Sequence, residues 1–184
     1  MRDFAGKTAL ITGASKGIGL GIAQWFAKEG VNLCLVARSD DLLKKHAEEI
    51  RKSSQVNVQT LAVDMSDPAA REKVFATFPD VDIVVNNAGA VPGGSIDQVD
   101  EAAWRKGWDL KLYGYVGMTR LYIARMKEKK RGVILNIIGA GGEIFWPRPT
   151  RPGDVLHAET EILEIIPSRS NPGRGSVRLR TETK

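Results

Sequence analysis

A strand, a glycine turn and a helix follow one another without a break in residues 7–30, KTALITGASKGIGLGIAQWFAKEG, and this unit constrains the fold more than any other stretch. The apolar run 7–12 reads as a buried strand. Ile18, Ile22, Trp25 and Phe26 then recur at helical spacing before Gly30 closes the helix. The pattern repeats along the chain. VNLCLVA predicts a second strand, DDLLKKHAEEIRKS a second helix, NVQTLAVD a third strand, and DPAAREKVFATF a third helix with proline in its first turn. VDIVVNNAG predicts a fourth strand, residues 101–129 one or two helices, and GVILNII a fifth strand. Short, continuously apolar strands alternating with helices imply parallel pairing, because a parallel pair needs a crossover and the crossover helices hide both faces. The expected fold is therefore α/β: a Rossmann-type doubly wound parallel sheet with helices on both faces, incomplete or atypical toward the C-terminus.

Sheets of this kind bind ligands beyond the carboxyl ends of their strands. The turn TGASKGIG, residues 12–19, lies at such an end. Glycines at 13, 17 and 19 permit a tight turn, let backbone approach a pyrophosphate, and aim the helix N-terminus with its free amide donors at that anion. At the end of the second strand an acidic residue would accept hydrogen bonds from the ribose hydroxyls of NAD and repel a 2′-phosphate. Here Ala37 is followed by Arg38, with Ser15 and Lys16 in the glycine loop. A guanidinium meets a phosphate with paired donors and an ammonium adds a point charge, so NADP is favoured over NAD.

Three motifs carry a resemblance to a known family: Thr-Gly-x-x-x-Gly-Ile-Gly at 12–19, VDMSD at 63–67 after the third strand, and NNAG at 86–89 ending the fourth. Together they resemble the short-chain dehydrogenase/reductase family, from about Lys7 to Gly142. The resemblance implies cofactor contacts at Gly13, Ser15, Lys16, Gly17, Ile18 and Gly19, at Asn87, Ala88 and Gly89, and at the adenine through Asp64 and the Met65 backbone. It also implies hydride transfer between a small-molecule carbonyl and an alcohol. In that family a tyrosine acts as acid or base, a lysine four residues later lowers its pKa, a serine holds the substrate oxygen and an asparagine joins a proton relay. A phenol near pKa 10 is a poor base at neutral pH until a cation stabilises its phenolate.

The sequence departs from the family at each of these four roles. The asparagine position in DLKLYG is Lys111, and the serine position, three residues beyond Asn136, is Gly139. No tyrosine follows Tyr122, and Tyr113, Tyr115 and Tyr122 are followed at the fourth place by Gly117, Thr119 and Met126. Lys111 is a candidate replacement relay group if burial depresses its pKa, and otherwise a surface lysine of an amphipathic helix. Three readings stay open: an NADP-dependent oxidoreductase, a non-catalytic cofactor-binding or interaction protein, and a truncated or frameshifted product.

The third reading comes from a change of texture after Gly142. Residues 143–184 hold 5 of the 8 prolines, and Arg outnumbers Lys there by 6 to 1, whereas Lys leads by 12 to 8 before that point. We therefore divide the chain into a dinucleotide-binding domain, 1–142, and an atypical Pro/Arg-rich segment, 143–184. Within that segment VLHAETEILEII is read as a short helix or strand, and the residues after it as a poorly packed tail. If the tail does not replace the elements the resemblance implies, the fifth strand keeps exposed apolar surface, giving marginal stability and a possible homo-oligomer.

Other classes are disfavoured. The net charge of +5 lacks the clustered basic and aromatic surface of a nucleic-acid binder, since its densest run, RMKEKKRG, sits at a helix end where cations complement the dipole. The N-terminus has no apolar signal core and no stretch nears the roughly 18 apolar residues of a membrane span, so a cytoplasmic protein is expected. The single cysteine, Cys34, lies in an apolar run and reads as a buried thiol in a reducing compartment. Neither His46 nor His157 has metal-ligand spacing, so no metal is assigned. Trp104 and Trp108, four apart on one helical face, read as core or interface packing.

Overall fold

A computed structural model describes residues 4–90, 93, 97–137, 158–167 and 175–183. The chain divides into two compact units, residues 3–141 and residues 142–184 with the first two residues.

The larger unit alternates strands and helices: β1 (Thr8–Thr12), α1 (Gly17–Lys28), β2 (Asn32–Ala37), α2 (Asp40–Ser53), β3 (Val58–Ala62), α3 (Pro68–Thr77), β4 (Ile83–Asn86), α4 (Glu101–Trp108), α5 (Gly114–Glu128) and β5 (Val133–Asn136). The strands form one parallel sheet in the order β3-β2-β1-β4-β5. Strand order thus reverses between β1 and β4, the position at which open sheets of this type bind ligands.

The period of two in each strand decides which helices it meets. Ala9, Ile11, Leu33, Leu35, Ile83 and Val85 point to one face, where they pack with Ala23 and Phe26 of α1 and Leu43, Ala47 and Ile50 of α2. Leu10, Cys34, Val36 and Val84 point to the other, against Val74 of α3 and Met118, Tyr122 and Met126 of α5. Both faces being covered, the strands read as continuous apolar runs rather than alternating ones. Full burial of Leu10, Ile11, Leu33, Leu35 and Val84 stabilises the fold by about 1.5–3 kcal/mol each. The buried Cys34 thiol is pushed up to about 12 by desolvation, as expected of an inert core thiol.

Helix starts follow local chemistry. The Asp67 carboxylate accepts from the Ala69 N–H at 2.9 Å with Pro68 in the first turn of α3, and the Asp100 carboxylate accepts from the Ala103 N–H at 2.7 Å at the start of α4. In α2, Asp40 and Asp41 open the helix and Arg51 and Lys52 end it, matching its dipole. The basic run at the end of α5 is met by carboxylates: Lys129 and Arg125 pair with Asp80, and Arg131 with Asp82.

The structure refines four readings of the sequence. Residues 101–128 form one continuous helical run, in which a π-helical turn over Asp109–Tyr113 joins α4 to α5. The spacing of Ile18, Ile22, Trp25 and Phe26 buries only Phe26 fully; Ile18 and Trp25 remain 64% and 46% exposed, because the small residues Ala23 and Ala27 share the core face with Phe26. Val133 and Leu135 of β5 stay exposed, since α1 and α2 lie over β1–β3 and β5 is the sheet edge. In the smaller unit, β6 (Ala158–Pro167) pairs antiparallel with β7 (Gly175–Thr183), so residues 175–183, read as part of a poorly packed tail, form a strand. Gly139 and His157 lie outside the described residues. No helix among the described residues is long and apolar enough to cross a membrane.

Candidate functional site

The glycine loop is built by a lock between the ends of β1 and β4. The Thr12 hydroxyl oxygen accepts from the backbone N–H groups of Asn87 and Ala88 at 2.9 and 3.0 Å and donates to the Val85 carbonyl at 3.2 Å. The Asn87 side chain returns the contact, donating to the carbonyls of Thr12 and Gly13 at 3.0 and 3.3 Å. This brings the two loops so close that side chains are excluded. A Cβ on Gly13, whose φ is +69°, would lie 2.9 Å from the Ala88 Cα, and one on Gly19 would lie 2.5 Å from the Asn87 amide nitrogen and against the Gly13 carbonyl.

The loop then feeds α1, whose N-terminus has no side-chain cap and no acidic residue in its first turn. Its first amides therefore keep their hydrogen-bonding capacity at the positive end of the helix dipole, an arrangement suited to a phosphate.

That N-terminus opens onto a cleft of about 480 Å³ at the carboxyl ends of the strands. Gly13, Ser15, Lys16, Gly17 and Ile18 line it from the glycine loop, Arg38 from the end of β2, Asp64 and Met65 from beyond β3, and Asn87, Ala88 and Gly89 from beyond β4. Lys111 lines it as well. Among the residues proposed from the sequence, Gly19 alone does not reach the cleft; it is buried behind the loop, where its role is the close approach just described. Sequence reasoning missed Ser39, Leu42 and Ile137, which also line the cleft, and the lock made by the Thr12 hydroxyl, since it named Thr12 only as the first residue of the glycine-loop motif. A hydroxyl at the last residue of a strand just before a glycine turn was the available signal for Thr12.

Arg38 and Lys16 are both exposed at the cleft. The Asp64 carboxylate accepts from the Ser66 N–H at 3.0 Å and the Ser66 hydroxyl at 2.8 Å; these hydrogen bonds, with the charge of Arg38 adding, hold its carboxyl below the usual range. The Met65 carbonyl accepts from the buried Arg71 guanidinium at 2.8 Å, which fixes the backbone that borders the cleft here.

At the opposite end the π-helical turn carries Lys111. Its ammonium donates to the Tyr115 hydroxyl at 2.9 Å and to the Ile137 carbonyl at 2.5 Å, and Tyr115 donates to the same carbonyl at 3.0 Å. Burial lowers the pKa of Lys111 and pushes the Tyr115 phenol up to about 12. Lys111 also borders an apolar groove of about 610 Å³ formed with Trp104, Trp108, Leu112, Tyr115 and Val116. The two tryptophan rings lie 6.3 Å apart in that groove, with Trp108 52% exposed.

A doubly wound parallel sheet with a glycine loop at its switch point is a Rossmann-type architecture. A family model described as short chain dehydrogenase matches residues 7–150, and the chain belongs to that family. It is similar to the NADP-dependent (R)-specific alcohol dehydrogenase of Lentilactobacillus kefiri, 37% identical over 77% of this chain and 58% of the relative. It is similar also to L-rhamnose 1-dehydrogenase (NADP(+)) of Thermoplasma acidophilum, 34% identical over 90% and 68%. Among solved structures, L-sorbose reductase from Gluconobacter frateurii, complexed with NADPH and L-sorbose, matches with a TM-score of 0.65 and 38% identity over 72% of this chain and 52% of that one. The chain spans about half to two thirds of the length of the curated relatives it matches.

Proposed function

We propose that the larger unit binds NADP(H), and that this chain does so without performing the family's usual hydride-transfer chemistry. One observation carries the cofactor reading: the uncapped N-terminus of α1, Lys16 and Arg38 face a single cleft at the switch point of the sheet. The α1 amides would hold the pyrophosphate, and Arg38 with Lys16 the 2′-phosphate. Asp64 and the Met65 N–H would lie along the adenine, and Asn87, Ala88 and Gly89 along the rest of the dinucleotide. The NADP named for the two dehydrogenases and the NADPH of the L-sorbose reductase complex support that choice.

In the family's usual reaction the cofactor would give a hydride to a carbonyl carbon or take one from the carbon of an alcohol. A carbonyl or alcohol of small size is the substrate class supported by these relatives. The proton that accompanies the hydride needs a tuned acid, and the family's Tyr-x-x-x-Lys pair does not occur in this sequence. A reducing, cytoplasmic setting fits the lone buried thiol of Cys34.

Titration with NADPH and NADH, followed by cofactor fluorescence, tests the cofactor reading. Micromolar binding of NADPH with at least tenfold weaker NADH is the expected result; no binding of either below millimolar concentration overturns it.

A further inference from the structure

The cleft has two chemically different ends. Ser15, Lys16, Arg38 and Asp64 mark the end over β1–β3, and Gly89, Lys111 and Ile137 mark the end over β4 and β5. If Arg38 takes the adenosine 2′-phosphate, the half of the dinucleotide that crosses the switch point toward β4 and β5 is the nicotinamide half.

The cation at that end is held in place. Two of the three N–H donors of Lys111 are committed, to the Tyr115 hydroxyl and the Ile137 carbonyl, and the third has no partner among the described residues. The Ile137 carbonyl is a rigid anchor because its own N–H continues the sheet ladder, donating to the Asn86 carbonyl at 2.8 Å. Lys111 also lies flat over Gly89: a Cβ there would meet its Cδ at 2.9 Å and its Nζ at 3.1 Å. Gly89 therefore leaves room for this lysine; a methyl group there would require the end of the Lys111 side chain to shift.

We propose that Lys111, braced by Tyr115 and the Ile137 carbonyl, contacts the nicotinamide half of the cofactor and makes the cleft prefer the reduced form. The reason is charge. The oxidised ring is a cation and the reduced ring is neutral, while the phosphates are the same in both, so a fixed ammonium at that end opposes only the oxidised form. The inference rests on the cofactor reading above.

The experiment compares three ligands by isothermal titration calorimetry: NADPH, NADP+ and 2′-phospho-ADP-ribose, which lacks the nicotinamide. The wild-type chain is expected to bind NADPH on the order of tenfold more tightly than NADP+. Lys111→Met is expected to bring the two within about twofold of each other, while 2′-phospho-ADP-ribose changes by less than about twofold; Lys111→Arg, which keeps the charge, is expected to retain the preference. A preference unchanged in Lys111→Met overturns the proposal. So does an equal loss of all three ligands, which would mark a folding role. If the wild-type chain binds none of the three, the cofactor reading itself falls, and that outcome is distinct from the other two.

Discussion

The hydroxyl of Thr12 at the end of β1 holds the backbone of Asn87 at the end of β4 at 2.9 Å, joining loops that are 75 residues apart in sequence. Thr12→Val keeps the shape and removes the hydroxyl, leaving the N–H groups of Asn87 and Ala88 without their acceptor. Urea unfolding is expected to show a loss of about 1–3 kcal/mol, with Thr12→Ser recovering most of it. An unchanged midpoint in Thr12→Val would remove the lock from the account.

Gly19 has no room for a methyl group against Asn87 and the Gly13 carbonyl. Gly19→Ala must push the glycine loop away from β4, so NADPH affinity is expected to fall by at least about tenfold, a cost near 1.4 kcal/mol. Equilibrium titration of the variant checks this, and wild-type affinity would show that the loop tolerates the shift.

Arg38 stands at the end of β2 where an acid would select NAD. Arg38→Asp is expected to weaken NADPH by about 2–3 kcal/mol, some 30- to 150-fold, and to leave NADH equal or tighter. The NADPH loss should shrink in high salt, because an exposed ion pair is screened. A parallel loss of both cofactors would place Arg38 in the fold rather than in cofactor choice.

Cys34 gives a pH dependence with a definite sign. Its thiol pKa is raised from 9.0 to about 12 in the folded chain, so between those values the unfolded chain has lost the proton and the folded chain keeps it. Stability is therefore fully present below pH 9 and declines as pH rises from 9 toward 12. Denaturant midpoints measured from pH 8 to 10.5 are expected to fall, and Cys34→Ala should flatten that part of the curve. A thiol reagent at neutral pH should label Cys34 no faster than the chain unfolds.

Val133 and Leu135 expose apolar surface on the edge strand β5, 51% and 43% respectively. Unpaired apolar edges promote association, so light scattering is expected to show concentration-dependent growth for the wild-type chain and less of it for Leu135→Lys. Equal scattering from the two would exonerate this edge.

Local sequence determined the sheet and its glycine loop. Continuous apolar runs, Pro68 and Asp67 at a helix start, and the glycines of residues 12–19 are short-range signals, and they set β1 to β5 and the anion-binding end of α1. Tertiary structure decided the rest. Lys111 and Tyr115 are four residues apart, a pairing a helical reading allows, but their common anchor, the Ile137 carbonyl, reaches them only through the pairing of β5 with β4. The same holds for the lock of Thr12 on Asn87, for the space that Gly89 leaves to Lys111, and for the exposure of Ile18, Trp25 and Leu135. Periodicity tells which residues share a face. Which face meets a helix, a cleft or water depends on strand order, which joins residues too distant in the chain for any local pattern to relate.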